Sequence, residues 1–84
     1  MKIGNSIIQS RNIIVNTADN FECRYKGKDI HITTEHAHGK SIQNGYYRYS
    51  IVVFGDRGYD VNTYEDLSSI NQAIKYALLS AKLL

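Results

Sequence analysis

The strongest periodic signal lies at the carboxy-terminal end. From Leu67 onward the apolar residues fall at Leu67, Ile70, Ala73, Ile74, Ala77, Leu78 and Ala81. That is one continuous stripe at 3.6 residues per turn, and it predicts an amphipathic helix. Ser68, Ser69, Gln72, Lys75 and Lys82 take the opposite side, with Leu79, Leu83 and Leu84 outside the main stripe. Thr63, followed three residues later by Asp66, reads as a capping-box start with Asp in place of Glu. Glu65 and Asp66 in the first turn and Lys82 in the last would complement the helix dipole. The predicted helix therefore occupies Thr63 to Leu84.

Upstream the period changes to two. Phe21, Cys23 and Tyr25 alternate with Glu22, Arg24 and Lys26, and Ile30, Ile32 and Thr34 continue the apolar face. Gly27 can supply the positive φ of a tight turn, so residues 21–35 read as a β-hairpin. A second hairpin is predicted from Tyr47, Tyr49, Ile51 and Val53 on one strand face, a turn over Gly55–Gly58, and Tyr59 and Val61 returning. Between the hairpins, His36–Gly45 has the glycine and Asn/Ser content of a loop. At the amino terminus, Ile7 and Ile8, then Ile13, Ile14 and Val15, suit two short strands around Gln9–Asn12. Ile3, Ile7 and Ile8 also fit one helical turn, but β-branched content favours strands. The resulting fold class is α+β: two layers, an antiparallel sheet of about four to six strands with one long C-terminal helix packed on one face.

Composition narrows the class further. The chain has 84 residues, no proline, no tryptophan, one cysteine and a formal net charge of +2. That is one domain, residues 1–84, because a chain of this size buries only ~60% of its unfolded surface. No apolar run approaches the ~18 residues of a membrane span, no secretory or lipidation signal is visible, and a lone Cys23 cannot form an internal disulfide. A cytoplasmic protein without membrane contact is the expectation. One helix covers only part of one sheet face, yet Tyr46, Val52 and Phe54 alternate with the core set. Surface of this kind marks a partner interface, a homodimer included.

Candidate chemistry centres on residues 22–48. His31, His36 and His38 lie close in sequence, with Glu35 adjacent and Cys23 on the partner strand. His36 and His38, at i and i+2, would share one face and reach one metal ion, but a structural zinc site wants a second ligand pair that the chain lacks. His31-Ile32-Thr33 is similar to the H-x-T element of two-histidine phosphoesterases, which need two such elements. His31, Glu35, Arg24 and Arg48 on neighbouring outward positions would suit a small ribonuclease. No phosphate-binding glycine loop, nucleophile elbow or carboxylate pair accompanies them, so neither an enzyme nor a cofactor is expected.

The same segment sets Arg24, Lys26, Lys28, Lys40 and Arg48 against Glu22, Asp29 and Glu35, with Tyr46, Tyr47 and Tyr49 as stacking surfaces. Nucleic-acid binding would use that basic, Tyr-rich hairpin face. Strands followed by a helix invite comparison with double-stranded RNA-binding domains, but their basic patch at the last helix is here Glu65-Asp66-Leu67-Ser68-Ser69. The following segment, Asp56 to Asp66, is acidic. A basic hairpin beside an acidic turn makes a dipolar surface, which registers a protein partner better than a polyanion.

In length, Ile/Asn/Lys/Tyr-rich usage, lack of proline and compact sheet-plus-helix pattern, the chain resembles small proteins of bacteriophages and mobile elements, anti-CRISPR proteins among them. Tyr59–Asp66 followed by Ile70 and Ala73-Ile74 also resembles the end of HicB-like antitoxin domains. These resemblances are of type and transfer no functional residue. They imply a small non-enzymatic inhibitor that binds a larger host protein or ribonucleoprotein complex by occlusion or allostery. The expected contact set is Arg24, Lys26, Lys28, His31, His36, His38, Lys40, Tyr46 and Arg48.

Overall fold

The computed structural model describes residues 1–34 and 45–84. It is an α+β fold. A two-residue pair, β1 (Lys2–Ile3) and β2 (Ser6–Ile7), is followed by a 3-10 turn at Ser10–Asn12. A five-stranded antiparallel sheet comes next: β3 (Ile13–Asn16), β4 (Asn20–Tyr25), β5 (Lys28–Thr34), β6 (Tyr47–Gly55) and β7 (Gly58–Leu67), in spatial order β3-β4-β5-β6-β7. One helix, α1 (Ile70–Ser80), closes the chain. The loop predicted over His36–Gly45 falls almost entirely outside the described residues.

Local chemistry accounts for the connections. Lys26 and Gly27 both have positive φ, +51° and +78°, the signature of a two-residue type I′ turn that matches the twist of β4 and β5. At the β6–β7 turn Gly58 sits at φ +106°, a conformation that a side chain would strain. Just beyond it the ladder slips by one residue, so that Val53 faces Val61 but Phe54 faces Tyr59.

Alternation then sorts the side chains. Phe21, Cys23, Ile30, Ile32, Tyr49, Ile51 and Val53 point to one face and meet Ala73, Ile74, Ala77 and Leu78 of α1, with Ile3 and Ile8 completing the core. Full burial of each large aliphatic side chain contributes about 1.5–3 kcal/mol. The open end of the β1–β2 pair is closed by Met1 and Ile8, the terminal amine of Met1 donating to the Ile8 carbonyl at 2.9 Å and the Ile8 amide to the Met1 carbonyl at 2.7 Å, while buried Ile3 and Ile8 anchor the pair in the core. The first twenty residues thus take the strand alternative.

The structure corrects three expectations at the end of the chain. Thr63–Leu67 belongs to β7, not to a helix. The helix begins at Ile70, capped by Ser69, whose hydroxyl accepts from the Gln72 amide at 3.2 Å. Glu65 and Asp66 are therefore sheet residues, and Lys82 lies beyond the last turn. Leu83 is buried, not peripheral, because the helix ends in a Schellman motif. The Leu83 amide donates to the Leu78 carbonyl at 2.8 Å and the Lys82 amide to the Leu79 carbonyl at 3.1 Å, with Lys82 left-handed at φ +59°. That geometry folds Leu83 back onto the core.

Candidate interaction surface

Because α1 and the β1–β2 pair cover one face of the five-stranded sheet, the other face carries the side chains of opposite parity. They form cross-strand rows. Arg24, Asp29, Phe54 and Tyr59 stand in register across β4 to β7, and Glu22, His31, Val52 and Asn62 make the next row. Asn20, Thr33, Ser50 and Tyr64 follow, and Arg48 faces Asp66 at the far end. An aromatic line runs across the first two rows. The His31 and Phe54 rings lie 5.4 Å apart and those of Phe54 and Tyr59 6.0 Å apart, within the range where ring pairs attract. Tyr59 and Tyr64 are 67% and 70% exposed, far more than a sheet face with a packing partner in the same chain would allow.

The cations of this face are matched by carboxylates. Arg24 bonds Asp29 at 2.9 Å, Arg48 Nε bonds Asp66 at 3.0 Å, and His31 Nδ1 lies 3.4 Å from Glu22. The Arg48 guanidinium holds the Asp66 carboxyl below its ordinary value by hydrogen bonding and charge, and Asp66 raises Arg48 in return. In formal charge, two arginines, Arg24 and Arg48, stand against three carboxylates, Glu22, Asp29 and Asp66, a net of −1 over these residues.

Of the predicted contact residues, Arg24, His31 and Arg48 are brought together on this face, and Tyr46, half exposed, precedes β6 with the parity of Arg48. Lys26 and Lys28 are not on it. Lys26 is a turn residue whose Nζ reaches the opposite layer, donating to the Leu83 carbonyl at 3.0 Å. Lys28 has the parity of Ile30 and pairs with Asp60 at 2.9 Å. His36, His38 and Lys40, and the metal site and loop contacts built on them, lie outside the described residues, as does Glu35.

Cys23 and His31 sit on opposite faces of the sheet, so they cannot share a ligand. Burial, with Asp29 adding its charge, pushes the Cys23 thiol up to about 11. Among the described residues no group of three His, Cys, Asp or Glu side chains is placed to hold a metal ion. Besides Lys26 and Lys28, sequence reasoning misplaces Tyr59, which it sets on the returning strand together with Val61. The slip after Val53 turns it outward onto Phe54, and the only sequence signal for that slip is Gly58.

No helix among the described residues is long and apolar enough to cross a membrane. Comparison with known proteins gives no matching family model, no matching curated protein and no matching solved structure.

Proposed function

We propose that this chain is a non-enzymatic binding protein that acts as an occluding inhibitor, seating the uncovered sheet face on a larger protein or ribonucleoprotein partner. The single observation behind the reading is the His31–Phe54–Tyr59 aromatic line flanked by arginines already paired to carboxylates. Aromatic and arginine side chains at the centre of a patch supply most of the energy in protein interfaces. A face whose charges are internally compensated gives a polyanion little to bind. The type-level resemblance to phage-encoded inhibitors points to a host defence complex as the target, and no turnover or cofactor enters the mechanism.

The test is affinity capture with the tagged chain from bacterial lysate, with and without nuclease, beside the double variant Tyr46→Ala/Arg48→Ala and the single variant Phe54→Ala. One large nuclease-resistant complex is expected, weakened by about 2 kcal/mol or more on truncation of a central residue. Capture of nucleic acid alone, lost after nuclease, would sink the proposal. Unchanged capture by all the variants would remove the face assignment.

One observation favours nucleic acid as a second reading, though on the opposite layer. Residues 1–18 and 67–84 contain Lys2, Arg11, Lys75 and Lys82 and no Asp or Glu. Among the described residues none of these four cations forms a salt bridge, whereas Arg24 and Arg48 of the hairpin face are both paired.

A further inference from the structure

We infer that β7 is a self-pairing edge, through which two copies of this chain join into one continuous antiparallel sheet about a two-fold axis at Tyr64. The inference is independent of what binds the outer face.

The two edges of the sheet are built differently. An edge strand offers unpaired N–H and C=O groups, and natural sheets blunt it by shortness, bulges, proline or lysine. β3 is blunted: it is four residues long and its register slips between Ile13 and Val15. β7 spans ten residues, contains no Lys, Arg or Pro, and keeps unbroken register with β6 from Val61 to Leu67, where its two charges, Glu65 and Asp66, are engaged by the Thr63 hydroxyl and by Arg48. Among the described residues nothing pairs with its far side. Apolar surface flanks that edge on both faces. Tyr64 is 70% exposed on the outer face. On the helix side a shallow groove of about 310 Å³ is lined by Leu67, Gln72, Lys75, Tyr76 and Leu79.

The strand's own sequence selects a second copy as the occupant and fixes the register. Residues directly opposite in an antiparallel pair point to the same face. To keep Val61, Thr63, Glu65 and Leu67 on the helix side in both copies, the axis must therefore pass through a residue. Centring on Thr63 sets Asp60 against Asp66 and Val61 against Glu65. Centring on Glu65 sets that carboxylate against itself. An axis at Asn62 runs the pairing through the slipped Tyr59–Asp60 segment.

Only the Tyr64 axis avoids these conflicts. It pairs Tyr64 with Tyr64, Thr63 with Glu65, Asn62 with Asp66 and Val61 with Leu67, which is two aromatic rings, two hydroxyl– or amide–carboxylate pairs and an apolar pair. The unbroken stretch Val61–Leu67 is itself centred on Tyr64. The Thr63 hydroxyl already bonds Glu65 Oε2 at 3.0 Å within one chain, so the same chemistry is available across the axis.

The experiment uses the full chain. Sedimentation velocity over a wide concentration range should show a species of twice 9.6 kDa. Tyr64→Lys, which sets two ammonium groups against each other at an exposed site, should raise its dissociation constant by about tenfold or more. Circular dichroism of the variant checks that the fold is kept. Tyr64→Cys should form an intermolecular disulfide on mild oxidation, since paired Cα atoms lie about 4.5–5.5 Å apart. Asn62→Cys, set opposite Asp66, should not. A chain that stays monomeric at every concentration overturns the inference. So does a dimer that ignores Tyr64→Lys and gives no Tyr64→Cys cross-link.

Discussion

Cys23 shows how burial decides chemistry at the scale of one side chain. It stands opposite Ile30 in the ladder and 1% exposed in the core, so the thiolate would have to form without water. Its folded value of about 11 exceeds the ordinary 9.0. The neutral thiol's contribution to stability is therefore fully present below pH 9 and lost as pH rises through about 11, because the unfolded chain sheds the proton first. Two pH units of difference correspond to roughly 2–3 kcal/mol. The loss of stability between pH 9 and 11 should be smaller in Cys23→Ala than in the parent chain, by about that amount, as measured by urea unfolding at each pH. Parallel pH profiles would show that the thiol ionises as freely in the fold as outside it. The inward position of Cys23 was legible from the alternation Phe21, Cys23, Tyr25. The Arg24–Asp29 pair follows from the hairpin turn at Lys26–Gly27, five residues separating the partners, whereas Arg48–Asp66 joins residues 18 apart and depends on the β6–β7 register, which the sequence did not show.

At the scale of the element, β7 and α1 show why a correct periodicity can still misplace a boundary. Leu67 closes β7 facing inward, and α1 continues the same apolar side from Ile70, so the helical stripe in the sequence starts three residues before the helix does. The inward positions of β7 include the polar Thr63 and Glu65, which hid its period of two, and Thr63…Asp66 imitated a capping box. The working signal was Ser69…Gln72, an S-x-x-Q pattern whose serine does accept the Gln72 amide. Both ends of α1 can be probed. Ser69→Ala should destabilise the protein by about 1 kcal/mol through the lost cap. Lys82→Gly should stabilise it by about 1 kcal/mol, since Lys82 holds the left-handed position of the Schellman motif where a Cβ is unfavourable. Chemical denaturation of the two variants checks both signs, and a destabilising Lys82→Gly would contradict the terminus described above.

The whole molecule segregates charge between its layers, and that gives the partner question a physical handle. All eight Asp and Glu residues fall within residues 19–66, while the β1–β2 pair, α1 and the turn after it carry Lys2, Lys75 and Lys82 with none. The two-layer fold was legible because sheet and helix each kept a clean period, but this asymmetry became meaningful only once the termini were seen to lie together on one face. The two faces predict different salt responses. A partner on the outer face meets arginines already neutralised by Asp29 and Asp66, so its affinity should change less than about threefold between 50 and 200 mM salt. A polyanion held by Lys2, Lys75 and Lys82 would release about three counterions at a slope near −0.9 each, a loss of roughly fortyfold over that interval. Titrating the captured partner at the two salt concentrations therefore reports which layer it touches. A steep loss that disappears in Lys75→Gln/Lys82→Gln would assign binding to the helix layer. A flat response that those substitutions leave unchanged and Phe54→Ala abolishes would assign it to the sheet.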